Sequence, residues 1–265
     1  MSEFQEQSIN GLTQAFIDEG EGQTLVLIHG SLCDYRYWRF QAPTLAAKCR
    51  LIIPSLRHYW PLNEPEAIGF SAEQHAADLL NLLQHLGIEK AHLLGHSRGA
   101  AVAVRMAQQA PEHIASLILA DPGLRNPQEL QEGIHWKASA LQLIQSGAVD
   151  EGLEIFIDAV SGEGTWAKMV PWFKRMVRNN ANTLELQQYE QAVLFDKEAL
   201  APLAQFKISL IGGAQSPAPF PHIIRELSAL WPEAAVSILE NATHGMNLAM
   251  PQRFNQTVLA HLGLD

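Results

Sequence analysis

Leu93-Leu94-Gly95-His96-Ser97-Arg98-Gly99 is the stretch on which the reading of this chain turns. Residues Gly95 to Gly99 match G-x-S-x-G, directly after an apolar, strand-like run and directly before an alanine-rich, helix-like one. Five residues of this kind are a weak signal alone, because Gly and Ser are common. The flanks supply the meaning: a nucleophile elbow needs a serine at a sharp, strained strand-to-helix turn, with glycines where side chains would clash with approaching backbone. Ser97 Oγ would then project from the carboxyl edge of a sheet.

Two further segments fall where an elbow needs them. Thr24-Leu25-Val26-Leu27-Ile28-His29-Gly30-Ser31 is an apolar strand ending in His-Gly-x. The backbone N–H groups of Ser31 and of Arg98, the residue after the serine, are candidates for an oxyanion hole, where each donor is worth roughly 3–4 kcal/mol of barrier. Val236-Ser237-Ile238-Leu239-Glu240-Asn241-Ala242-Thr243-His244-Gly245 is a short strand followed by a loop that presents His244. A serine hydroxyl is a poor nucleophile at neutral pH, so it needs an imidazole to take its proton, and His244 is the candidate general base.

With these three motifs in this order, the chain resembles proteins of the α/β-hydrolase fold from about Leu12 to Leu262. The resemblance implies a mostly parallel, doubly wound sheet and a triad in the order Ser, acid, His. Many members carry the acid after the seventh strand in a segment like G-x-x-D-P; here that run is Ile211-Gly212-Gly213-Ala214-Gln215-Ser216-Pro217, with Ser216 in the aspartate's place. A serine cannot offset an imidazolium. The fold's other location is the end of the sixth strand, where Ser116-Leu117-Ile118-Leu119-Ala120 leads to Asp121, the preferred acid. Asp before Pro-Gly also starts turns, so a turn role is the plain alternative. Glu240 is the runner-up acid.

Composition bounds the rest. A chain of 265 residues with 47% apolar content is long enough for one large core. A net charge of −10 argues against nucleic acid or an anionic membrane as partner. The apolar runs fall short of the roughly 18 residues needed to span a bilayer, and Met1 to Glu6 is acidic and polar, so a cytoplasmic protein is expected, monomer or homodimer. Cys33 and Cys49 fit free thiols, with Cys33 either lining a pocket or packing. No grouping has metal-ligand spacing and no G-x-G-x-x-G is present, so neither a metal nor an organic cofactor is expected.

Along the chain, Leu12 to Phe16 and Thr24 to Ile28 flank the turn Asp18-Glu19-Gly20-Glu21-Gly22 and read as a hairpin. Tyr37 to Ala47 has helical spacing, Leu51 to Pro54 is a short strand, and Ser71-Ala72-Glu73-Gln74 opens a helix that Gly87 ends. The alternation of strands and helices predicts parallel crossovers. After Asp121 the rhythm becomes helical, with stretches over Pro127 to Gln145, Glu151 to Val160 and Thr183 to Leu194. Strand order resumes at Phe206 to Ile211, then helices over Pro219 to Leu230 and Pro251 to His261. This divides the chain into a core (1–122), a helical insertion (123–200) and a second part of the core (201–265). In the family such an insertion is a cap that shapes the pocket and excludes water.

The insertion holds Trp136, Phe156, Trp166, Trp172, Phe173, Tyr189 and Phe195, which pack it onto the core or favour an apolar, aromatic ligand. Arg36, Tyr37 and Trp38, and Arg57, His58, Tyr59 and Trp60, are expected near the mouth, with Arg57 a candidate anchor for a carboxylate or enolate. His29 is expected to orient its loop, and His96 to be buried and hydrogen-bonded. The resemblance implies acyl transfer to Ser97 on a small or medium apolar ester, a small-molecule substrate. A sixth-strand Asp also resembles the cofactor-free ring-cleaving dioxygenases of this fold, which act on aromatic N-heterocycles. A third class is a non-enzymatic ligand receptor; fold alone does not choose among them.

Overall fold

The computed structural model describes residues 3–63, 68–125 and 135–265. Its centre is a sheet of the strands β1 (Gln5–Ile9), β2 (Leu12–Glu19), β3 (Thr24–Ile28), β4 (Arg50–Pro54), β5 (Ala91–His96), β6 (Ile114–Ala120), β7 (Lys207–Gly213) and β8 (Ala235–Leu239), in the order β1-β2-β4-β3-β5-β6-β7-β8. From β4 through β8 the pairing is parallel, and β2 is antiparallel to both β1 and β4. The parallel strands read as unbroken apolar runs because both faces are covered: every residue of β3 is buried. Alternate side chains feed two cores. Val26, Ile28, Leu93, Leu117 and Leu119 face one way, while Leu25, Leu27, Leu94, Ile118 and Ala120 face the other.

On the first face lie α1 (Ala72–His85), α2 (Arg98–Gln109) and α6 (Phe220–Leu230). On the second lies α7 (Pro251–Leu262), through Phe254 and Val258. Between β6 and β7 run α3 (His135–Gln145), α4 (Val149–Ser161) and α5 (Pro171–Asn179), with shorter turns at Thr165–Lys168 and Thr183–Leu186. Phe156, Ile157, Phe173 and Met176 join this segment to the second core. Of the helical stretch read over Pro127 to Gln145, residues 127–134 lie outside the described residues. Among the described residues no helix is long and apolar enough to cross a membrane.

Local structure differs from expectation in three places. The hairpin is formed by β1 and β2, through Asn10 and Gly11 at φ 51° and 82°, not by β2 and β3. Positive φ at both central residues is what a two-residue hairpin turn demands. β4 crosses over to sit between β2 and β3, separating strands adjacent in sequence. Tyr37 to Ala47 is not one helix but a 3-10 turn at Tyr35–Trp38 and a short helix at Ala42–Leu45. Thr183 to Leu194 is helical only to Leu186, then a 3-10 turn at Gln187–Tyr189, after which the backbone is extended. There Arg125 N–H donates to Val193 O at 2.9 Å and Phe195 N–H to Arg125 O at 2.7 Å, so the helix's hydrogen-bonding groups are diverted into a bridge.

Register places the chemistry. Ile28 pairs with Gly95, His96 with Ala120, Ala120 with Ile211 and Gly213 with Leu239. The carboxyl ends of β3, β5, β6, β7 and β8 therefore lie side by side. The chain leaves β3 with β4 on one side and β5 on the other, the reversal at which open α/β sheets place their ligand crevices.

Candidate active site

Ser97 stands between β5 and α2 with φ 54° and ψ −122°, a conformation costly for any residue with a side chain and retained where surrounding structure enforces it. Its N–H donates to Ala120 O at 2.9 Å, and its carbonyl accepts from Ala100 N–H at 3.0 Å and Gly123 N–H at 2.9 Å. The flanking glycines are required by close approach: a Cβ at Gly95 would overlap the Gly99 carbonyl, and one at Gly99 the Ile28 carbonyl. Gly123 closes the turn from the other side, where a Cβ would come within 2.9 Å of Arg98 N.

Asp121 follows β6 directly and is fully buried, at φ 38°. Its Oδ2 lies 3.1 Å from His244 Nδ1 and accepts a hydrogen bond from Ser216 Oγ at 2.6 Å. Ser216 is thus not the acid but the donor that steadies it, a role the sequence reading missed. Burial pushes the Asp121 carboxyl up to about 7, against the opposing pull of the Ser216 hydroxyl, His96 and the Gly213 N–H.

His244 is held on three sides. Its ring stacks on Phe220 at 3.9 Å and lies 4.5 Å from the His96 ring. Its carbonyl accepts from His96 Nε2 at 2.7 Å, which fixes the His96 tautomer, since a carbonyl cannot donate. Burial, reinforced by Arg125, pushes His244 down to about 3, so the resting imidazole is neutral. With Nδ1 donating to Asp121, Nε2 is left as the acceptor. His29 fits its expected role: Leu56 N–H donates to its Nε2 at 3.0 Å.

Ser97, His244, Ser31 and Arg98 all line one cavity of about 550 Å³, with Asp121 behind the imidazole. Cys33 lines it too, as a buried free thiol. Of the aromatics, Trp136, Phe156, Trp172 and Phe173 face the cavity, whereas Trp166 is buried, Tyr189 is 70% exposed and Phe195 packs on the core of the sheet. Glu240 is exposed at the end of β8 and takes no part. Arg57 is not a ligand anchor: its guanidinium forks onto Asp78, at 2.9 and 2.7 Å, away from the cavity wall. Charged groups that sequence reading overlooked, Arg125, Lys137 and Glu190, line the cavity instead. Among the described residues no cluster of His, Cys, Asp or Glu could hold a metal ion.

A strained serine after β5, a buried aspartate after β6 and an imidazole after β8 form one arrangement, and the chain's sequence matches the family described as alpha/beta hydrolase fold over residues 23–249. The chain belongs to the alpha/beta hydrolase fold family. Among relatives of this alpha/beta hydrolase, the dihydrolipoyllysine-residue acetyltransferase component of the acetoin cleaving system of Pseudomonas putida is 29% identical over 255 residues, 92% of this chain and 64% of its own length. A soluble epoxide hydrolase of Corynebacterium sp. (strain C12) is 34% identical over 118 residues, 44% of this chain and 41% of its own length. The chain spans less than two thirds of the length of these two relatives. In fold, it superposes on a carboxylesterase from Bacillus subtilis with a TM-score of 0.82, covering 99% of this chain and 92% of that one at 21% identity.

Proposed function

We propose that this alpha/beta hydrolase is a serine hydrolase that cleaves a small or medium ester with a largely apolar body, by way of an acyl-enzyme. Ser97 Oγ attacks the ester carbonyl carbon while its proton passes to His244 Nε2. The Ser31 and Arg98 N–H groups receive the negative oxygen of the tetrahedral intermediate. His244 then gives the proton to the leaving alkoxide, the C–O bond breaks, and Ser97 is left acylated. Water repeats the sequence: its proton goes to His244, its oxygen to the carbonyl carbon, and Ser97 leaves with the proton as the acid departs. Asp121 holds Nδ1–H throughout and offsets the imidazolium. Residues 123–200 act in this reading as a cap, whose aromatic side chains shape the pocket and exclude water.

The observation that carries the reading is the 3.1 Å contact from Asp121 to His244 Nδ1, which leaves Nε2 as the proton acceptor of an imidazole that lines the same cavity as the strained Ser97. Among the described lining residues none favours the ring-cleaving or receptor alternatives over it. The test is intact-mass spectrometry after fluorophosphonate treatment, alongside p-nitrophenyl ester turnover, on the wild type and on Ser97→Ala, His244→Ala and Asp121→Asn. One adduct on Ser97 is expected, with turnover lost by about 10⁴-fold or more in each variant, as in other triads. An unlabelled Ser97 in an inactive wild type would rule the mechanism out.

A further inference from the structure

The charge on the cavity wall opposes the charge of the chain. Arg98, Arg125 and Lys137 line the cavity with Glu190, the one carboxylate among its described lining residues, in a protein of net charge −10. Both oxygens of Glu190 are engaged by the Arg98 guanidinium, Nε to Oε2 at 2.9 Å and Nη2 to Oε1 at 2.5 Å. That fork balances one cation. Lys137, in the first turn of α3, forms no ion pair among the described residues, and the carboxylate that bears on it there, Glu190, is already engaged by Arg98. Arg125 reaches the same wall from just beyond β6, a separate element.

We propose that the cavity takes a substrate bearing a free carboxylate, anchored on the Lys137 ammonium, with Arg125 adding to the positive potential. The inference rests on the serine-hydrolase reading for the position of the reacting carbonyl at Ser97. The substrate is then a half-ester of a dicarboxylic acid, or an ester of like charge, whose apolar chain lies against Phe156, Trp172 and Phe173. A partly enclosed cation lacking its own anion is costly, and a ligand carboxylate relieves that cost, whereas a neutral analogue leaves the ammonium unpaired. The depression of Lys137 to about 8 agrees with this: burial comes first, and repulsion from Arg125 and Arg98 outweighs the pull of Glu190. A low-dielectric wall whose described charges are net positive also focuses the field toward an anionic ligand, against the repulsion of the protein as a whole.

The experiment compares mono-p-nitrophenyl adipate with its methyl ester, equal in chain length but uncharged, by release of p-nitrophenolate. The wild type should favour the acid at least tenfold in kcat/KM. Lys137→Met should lower the acid-to-neutral ratio at least tenfold and Lys137→Arg should largely keep it. A ratio divides out any loss of folded protein. A wild type without preference, or a ratio untouched by Lys137→Met, overturns the proposal. If neither ester is cleaved and Ser97 takes no fluorophosphonate, the hydrolase reading has failed separately. Calorimetry with adipate then decides the anchor: a Kd weakened at least tenfold in Lys137→Met supports it, and absent or equal binding overturns it.

Discussion

A hydroxyl that donates to a buried carboxylate favours its charged form, and Ser216 does this for Asp121 at 2.6 Å. Removing the donor in Ser216→Ala leaves desolvation less opposed, so Asp121, already raised to about 7, moves higher. The proposed mechanism needs Asp121 ionised and His244 neutral, so kcat/KM should fall as pH drops through that value, and the fall should begin at higher pH in the variant. A hydrogen bond to a charged group is worth about 1.5–3 kcal/mol, which corresponds to a loss of about tenfold or more at pH 7. A pH–rate profile with an unmoved acid limb would contradict this. Gly123→Ala tests the elbow from behind: its Cβ would meet Ser97 C at 2.8 Å and Arg98 N at 2.9 Å, both backbone. The turn must shift, and we expect kcat to fall by about 100-fold, as for loss of an oxyanion donor. At this scale Ser97, His244 and Asp121 were legible because each follows an apolar strand. Ser216 was legible only as a substitution; its partnership with Asp121 needs β6 and β7 to be neighbours.

Elements are tied to one another by charge as well as by apolar contact. The first residue of α2, Arg98, reaches Glu190 and also donates to His75 Nδ1 of α1 at 2.9 Å, so three segments meet at one buried guanidinium. Glu190→Ala would leave that guanidinium buried without its carboxylate, at a cost of about 3–5 kcal/mol. Urea unfolding monitored by circular dichroism should show it; a loss below about 1 kcal/mol would mean that water replaces the carboxylate freely. At the start of α1, Ser71 Oγ accepts from Gln74 N–H at 3.0 Å. Ser71→Ala should cost about 1 kcal/mol, a Tm shift of about 2–4 °C. The Gln74 side chain turns to Asp78 at 3.0 Å rather than back to Ser71, so only half of the capping box is present. The helix was readable from its cap and periodicity. β1 was not: it is a largely exposed edge strand, Gln5-Glu6-Gln7-Ser8-Ile9, with only Ile9 buried, and no apolar alternation announces it.

Across the whole molecule, the buried histidines set the response to acid. Burial lowers His29 and His261 to about 4 and His96 and His244 to about 3, and holds His75 well below its usual value. In the unfolded chain the same groups take protons near pH 6.5, so below that pH the unfolded state binds more protons and stability falls. Each contributes a slope of up to about 1.4 kcal/mol per pH unit between 6.5 and its folded value. Asp121 acts in the opposite sense: raised to about 7, it favours the folded state at low pH and loses that contribution as pH rises, but it is one group against several. Calorimetric Tm should therefore drop steadily from pH 7 to pH 5, and a flat profile would show these imidazoles to be hydrated.

What the sequence determined by itself was local or periodic: the strand, turn and helix around Ser97, the unbroken apolar runs of a sheet buried on both faces, and a helical stretch interrupting that rhythm. Such signals survive in one dimension because they depend on neighbours within a few residues. Tertiary structure alone decided what depends on crossovers. It inserted β4 between β2 and β3, took Arg57 out of contention by pairing it with Asp78, and set Ser216 against Asp121 across 95 positions of chain. It also gathered Arg98, Arg125, Lys137 and Glu190 on one wall. A charge's role depends on which opposite charge lies within a few ångströms, and sequence distance does not report that.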